Sequence, residues 1–256
     1  MNLINLFQYS VGVYVGAGSR NEDLSTTGVG YLLQKMARRG TTNRSKTELT
    51  TKIENMGARY STKSSREYTK QEMQVLPGDV PRALGLLGDM VCNTALNPAE
   101  LELLKERVSH EHEDNHNRYV ETTLENCHFN AYREHMFGQP VKGDRDVTHT
   151  LGVDHLRDFH TANYYGDNVV VVATGDVSHD QVVDATEQHF SSLPKSTSVQ
   201  RKGLDKPVYI PALLFLRDDE MVNSNVGIFY DAPSAKHEDY YSFLLLKHMF
   251  GSYRVD

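Results

Sequence analysis

The stretch VGVYVGAGSRNED at residues 11–23 returns in altered form as NVGIFYDAPSAKHED at residues 225–239. Val226, Gly227, Ile228, Phe229, Ala232 and Ser234 answer Val11, Gly12, Val13, Tyr14, Ala17 and Ser19, while Glu238 and Asp239 answer Glu22 and Asp23 one residue further out. After each copy comes an apolar helical pattern, YLLQKM at 31–36 and, after a shorter loop, LLLKHM at 244–249. A strand and helix repeated at so long a period mark the openings of two similar domains. The expected organisation is an N-terminal domain over 1–195, a linker over 196–208, and an incomplete start of a second copy over 209–256. LPKSTSVQRKGLDKP, rich in Ser, Lys and Pro, supplies the linker and is expected to be exposed. A chain built this way is expected to be a fragment or truncated product of one about twice as long.

Within the first repeat, strand and helix patterns alternate. VGVYVGAG is rich in β-branched and aromatic residues and ends in a small-residue turn, which predicts a strand. TGVGYLLQKMARRG places Val29, Leu32, Leu33 and Met36 on one helical face and closes on Gly40. KTELTTKIENMG predicts a short helix ending at Gly57, and ARYSTKSSREYTKQEMQVLPG predicts two strands. PRALGLLGDMVCN and the charged segment from PAELELL to AYREH each read as a helix, the second long. VDHLRDFHTANYY, DNVVVVATGDV and HDQVVDATEQHFSSL then give helix, strand, helix. This order suggests an α+β fold, a two-layer sandwich of a mostly antiparallel sheet packed with helices, rather than a parallel doubly wound sheet.

Composition closes several functional classes. A formal charge of -7 and the absence of a dense Lys/Arg cluster give no footprint for nucleic acid or anionic lipid. Cys92 and Cys127 lie far apart without metal-type spacing and read as reduced helix or core thiols. VVVVA at 169–173 falls far short of the roughly 20 residues that cross a bilayer, so no direct membrane span is expected and any membrane association runs through partners. MNLINLFQYS contains no Lys or Arg and matches neither a secretory signal nor an Arg-rich presequence. GVG at 28–30 and GAG at 16–18 read as tight turns, and neither a phosphate loop nor a Gly-x-Ser-x-Gly elbow occurs.

From VGVYVGAGSRNE to about FSSLP the chain resembles the N-terminal half of the mitochondrial processing peptidase family, which includes the two core subunits of ubiquinol-cytochrome c reductase, respiratory complex III. The residues carrying the resemblance are VGVYVGAGSRNED, YLLQKMARRGTTNRS, IENMGARYSTKSSREYT, the turn GQPVKG, and DFHTANYYGDNVVVVATGDVSHDQVV. The resemblance implies two similar α+β domains per subunit and heterodimers that enclose a cavity.

Active members of that family carry His-x-x-Glu-His on the helix after the first strand and a glutamate ligand on a later helix. Residues at i, i+3 and i+4 share a face, so two imidazoles hold Zn²⁺ while the glutamate between them takes a proton from metal-bound water. In this sequence those places hold Tyr31, Gln34 and Lys35. A phenol with a pKa of about 10 is a poor ligand, an amide is no general base, and an ammonium repels the cation. The downstream glutamate matches Glu111, the remnant of the ligand set. Lys35 is expected to take the place of the missing metal charge and pair with Glu111; the alternative is that both point into solvent.

HEDNH at 112–116 matches the ordinary His-Glu-x-x-His pattern through His112, Glu113 and His116. Charge flanks it on every side, whereas a catalytic helix has apolar neighbours that fix ligands and exclude water. It therefore reads as a solvated, His-rich face, with weak metal binding by His110, His112 and His116 as the alternative. Tyr60 and Tyr68 lie in strands that line the substrate side in active relatives, where an extended peptide can add to an edge; ordinary sheet tyrosines are the plainer reading.

The resulting expectation is a subunit that is not an enzyme: a non-catalytic core subunit of complex III, without cofactor, paired with a homologous peptidase-like subunit and seated on the complex III membrane subunits. Its place would be the matrix face of the mitochondrial inner membrane. The first alternative is the non-catalytic alpha subunit of the processing peptidase, which holds presequences, and the second is an active zinc endopeptidase.

Overall fold

A computed structural model describes residues 9–116, 119–203, 205–217, 219 and 224–251. Four strands form one antiparallel sheet: β1 (Tyr9–Val15), β2 (Arg59–Ser64), β3 (Thr69–Val75) and β4 (Val169–Thr174), in the order β2-β3-β1-β4. The register pairs Val11 with Met73 and Ala173, and Val13 with Gln71 and Val171. Because side chains alternate across a strand, Val11, Val13, Val15, Met73 and Val75 all face one side and are buried there. Ser10, Tyr14, Lys70, Glu72 and Gln74 face the other and stay half-buried. The helices lie on the apolar side, which makes the two-layer α+β sandwich that the patterning predicts.

The helices are α1 (Val29–Met36), α2 (Lys46–Asn55), α3 (Val80–Cys92), α4 (Pro98–His116), α5 (Tyr119–Ala131), α6 (Arg145–Thr150), α7 (Val153–Asn163), α8 (His179–Phe190) and α9 (Tyr240–Phe250). Helix α3 packs on β1 and β3, with α8 against its other flank. Leu84, Leu87 and Met90, spaced along one stripe of α3, are wholly buried beneath the sheet. Helix α1 rests on α4, α7 and β2. Its apolar face, Leu32, Leu33 and Met36, closes the core, which extends from Tyr9 to Phe190. Cys92 and Cys127 are both free and sit in α3 and α5.

The segment from PAELELL to AYREH is helical over α4 and α5, and Asn117 and Arg118 between them lie outside the described residues. The predicted linker is largely exposed, and its backbone is hydrogen-bonded. Asn21 Nδ2 donates to Lys202 O at 2.8 Å, and Arg20 reaches Asp205 O at 2.5 Å and also Gly203 O. Its backbone carbonyls satisfy side chains in the turn after β1, which a composition rich in Lys and Ser does not reveal. Finally, residues 224–232 carry the strand-like pattern of the second repeat but form no ladder, and Val226 and Ile228 are exposed. A strand is stabilised by pairing, and no described strand flanks this one.

Candidate functional site at the α1–α4 junction

Helix α1 is placed by its first turn. Gly28, with φ +90°, is its N-cap; a Cβ there would lie 2.7 Å from Lys142 O and 3.2 Å from Gly143 Cα. This close approach brings the GQPVKG turn against the start of the helix, where Asp144 N also donates to Thr27 Oγ1 at 3.2 Å. Glu22 is buried under the same turn and accepts from Gly28 N at 2.7 Å and Gly30 N at 2.8 Å. A carboxyl group thus satisfies N–H groups that the first turn leaves without helical partners. Burial nevertheless dominates its ionisation and pushes its pKa up to about 8, against the lowering effect of those two N–H groups.

Helix α4 approaches from the other side. Leu101, Leu104 and Val108 form its buried stripe, and the next position on that stripe is Glu111. Glu111 meets the two α1 residues that flank the site. Tyr31 Oη donates to Glu111 Oε2 at 2.5 Å, and Lys35 Nζ stands 3.7 Å from Oε1. Lys142, delivered by the GQPVKG turn, places its ammonium 4.0 Å from Oε2. The expected Lys35–Glu111 pair therefore forms, but the closer contact is the phenol. Lys35 also stands 5.1 Å from the centre of the Tyr31 ring, a cation–π distance. Burial first, and then the Glu111 hydrogen bond and charge, raise the Tyr31 pKa far above that of a free phenol.

Gln34 lies between these residues on α1, is 2 % exposed, and has no hydrogen-bond partner on either amide atom among the described residues. The donor set does not fit a zinc ion: α1 presents a phenol held in its protonated form, a neutral amide and an ammonium, and the Glu111 carboxylate is already engaged. Among the described residues no three His, Cys, Asp or Glu side chains converge. His112, next along α4, is half-buried, and burial followed by the nearby Lys142 charge lowers its pKa. The side chains of Glu113 and His116 lie outside the described residues, so the HEDNH alternative has no geometry here.

Of the two tyrosines singled out in the sequence as strand residues, Tyr60 lies in β2, whereas Tyr68 falls in the turn just before β3. Tyr60 pairs with buried Met73, packs against the core, donates to Gln71 Oε1 at 3.2 Å and carries Arg38 over its ring. Tyr68 stands on the open face beside Tyr14, ring centres 6.2 Å apart. Sequence reasoning passed over Glu22 and Lys142. The first sits in the repeated GSRNED motif and the second in the quoted GQPVKG turn, but only the folded loops bring them to α1.

Residues 7–145 match the profile described as insulinase, peptidase family M16, and residues 150–255 match the peptidase M16 inactive domain. The chain is 31 % identical to the mitochondrial-processing peptidase subunit beta of Neurospora crassa over 95 % of this chain and 52 % of that protein. With the subunit beta of Saccharomyces cerevisiae it shares 28 % over 97 % of this chain and 54 % of that one, and with the human subunit beta 28 % over 95 % and 50 %. The chain thus spans about half the length of these relatives. Two solved structures share its fold. A protease from Helicobacter pylori superposes with TM-score 0.69 at 20 % identity, covering 78 % of this chain and 48 % of that one. A peptidase M16 inactive domain from Pseudomonas fluorescens gives 0.71 at 19 %, covering 80 % and 49 %.

These relatives correct the functional expectation. The proteins matched along the chain are named as beta subunits of the processing peptidase, which displaces both the complex III core subunit and the alpha subunit. They also displace the expectation of a protein outside enzymatic work, because they are subunits of a peptidase by name. The error was one of scope: Tyr31, Gln34 and Lys35 describe one set of side chains, not the activity of an assembly. Nothing in these matches supports the complex III membrane subunits as partners or attachment to the inner membrane. The relatives are mitochondrial by name, and no described helix is long and apolar enough to cross a membrane.

Proposed function

The chain belongs to the insulinase-type M16 peptidase family, and from that premise we propose that it is the N-terminal part of a beta-type processing-peptidase subunit. It recognises presequence peptides in the mitochondrial matrix together with a homologous, peptidase-like partner. The observation that carries this reading is its agreement with beta subunits along nearly the whole of its length.

The geometry offers the peptide a place. Among the described residues β2 is an edge strand, and Ser61, Thr62 and Lys63 on it are exposed. An extended peptide laid along that edge gains main-chain hydrogen bonds that do not depend on its side chains, which suits substrates of varied sequence. Helix α1 packs against β2, so such a peptide runs past the α1–α4 junction. Tyr68 and Tyr14 offer an aromatic surface on the open face, while Tyr60 holds β2 from beneath. The net charge of -7 favours approach of a basic, Arg-rich peptide.

The test is reconstitution of the whole subunit with an alpha-type partner and a fluorescent presequence peptide. The expected result is a stable pair whose peptide binding requires this chain, with Tyr68→Ala weakening binding by about threefold to tenfold, the loss of one aromatic contact. A subunit that forms no pair, or a pair that does not bind the peptide, overturns the proposal.

A further inference from the structure

Glu111 occupies a position in the buried stripe of α4 where Leu101, Leu104 and Val108 are apolar, so its charge needs compensation from outside its own helix. Compensation comes from α1 and from the turn that abuts it: the Tyr31 hydroxyl at 2.5 Å, the Lys35 ammonium at 3.7 Å and the Lys142 ammonium at 4.0 Å. We propose that Tyr31, Lys35, Lys142 and Glu111 form a metal-free brace that joins α1 to α4 in place of a zinc ion.

The brace is mechanical in the same sense as a structural metal. Tyr31 is 8 % exposed, so its hydroxyl has Glu111 as its partner in place of water, and the carboxylate is held by donors from two separate segments. The phenol–carboxylate bond is charge-assisted and short, which makes it the strongest single contact in the cluster. The ammonium contacts are longer and partly exposed, with Lys35 37 % and Glu111 29 % exposed in their side chains, so they contribute less. The phenol is therefore expected to dominate the coupling between the two helices. None of this requires the partner subunit or the peptide, so its failure is distinct from failure of the proposed function.

Two experiments on the full chain test it. In the first, thermal melts are compared for Tyr31→Phe, Glu111→Gln and the double variant. Tyr31→Phe is expected to lower Tm by about 2–6 °C in the native background and by much less when Glu111 is already Gln; an equal loss in both backgrounds overturns the brace. In the second, zinc is counted after chelator washing. The native chain is expected to retain none. Stoichiometric zinc in the washed native chain that disappears on Glu111→Gln overturns the proposal.

Discussion

At the scale of single residues, two buried carboxyl groups give opposite pH dependences. Glu22, beneath the start of α1, has its pKa raised from 4.5 to about 8, chiefly by burial. The folded protein then holds a proton that the unfolded chain releases above about 4.5, so this contribution to stability is complete at low pH and is lost as pH rises to about 8. Glu22→Gln, which has nearly the shape of the protonated acid, is expected to flatten that decline by a few kcal/mol at most; urea midpoints at pH 5, 6.5 and 8 measure it. Asp89 in α3 behaves in reverse. Burial pushes its carboxyl up, but hydrogen bonds from Thr41 at 2.7 Å, Asn43 at 2.6 Å and Asn93 at 3.0 Å, together with Arg44, outweigh it and hold the pKa below 3.8. Its contribution is present above 3.8 and disappears as pH falls through the lowered value. Asp89→Ala is expected to cost about 3 kcal/mol at neutral pH, because it leaves several donors unpaired at once; denaturant titration reads this directly. The resemblance to the processing peptidase family pointed to Tyr31, Lys35 and Glu111, and the Lys35–Glu111 pair follows from opposite charges on facing helices. Hydrogen bonding by Tyr31 was hidden because a tyrosine in a ligand position was judged only as a metal donor. Glu22 and Asp89 were hidden for a simpler reason: Glu22 itself, and Thr41, Asn43 and Arg44 around Asp89, lie in loops that no periodicity predicts.

The secondary-structure elements were legible wherever one face is buried and the other is not. The β-branched and aromatic residues of β1 and the apolar face of α1, Val29, Leu32, Leu33 and Met36, produced correct elements because each leaves its own trace in the sequence. Terminal signals were also readable. Ser45 caps α2 by accepting from Glu48 N, and Glu48 returns the contact by accepting from Ser45 N at 2.7 Å, a reciprocal box encoded in SKTE. Ser45→Ala is expected to destabilise the protein by about 1 kcal/mol, with faster amide exchange confined to the first turn of α2. The same local logic fails for 224–232. Val226, Ile228 and Phe229 have strand propensity, but propensity reports how well a residue fits beside neighbours, and no described strand lies beside them.

For the molecule as a whole, the join between the first repeat and the residues after it is aromatic. Tyr132 lies 5.2 Å from the Phe137 ring, 6.1 Å from Tyr209 and 6.3 Å from Phe229, and His128 lies 4.8 Å from Phe229. Ile210 N donates to Ala131 O at 2.8 Å, and Tyr209 Oη donates to Phe229 O at 2.9 Å, so backbone contacts run beside the rings. Phe229 is half-buried, whereas its neighbours Ile228 and Tyr230 are 75 % and 78 % exposed. Phe229 of the second repeat's GIFY pattern thus docks on the α5 side, as does Gly227, where a Cβ would lie 2.8 Å from Cys127 Sγ, while Ile228 and Tyr230 face outward. An edge-to-face aromatic contact contributes about 1 kcal/mol beyond the area it covers. Phe229→Ala is expected to speed amide exchange through residues 207–217 and 224–232 by about tenfold or more while leaving β1 and β3 unchanged, because the core beneath the sheet does not depend on this seam. Ile228→Lys makes the complementary case. It removes exposed apolar surface without touching the rings, so exchange in the same segment should stay as it is while the protein's tendency to aggregate falls, as light scattering during concentration would report. If the two substitutions changed exchange equally, the docking would be a property of general apolar contact along the segment and not of the aromatic cluster around Tyr132.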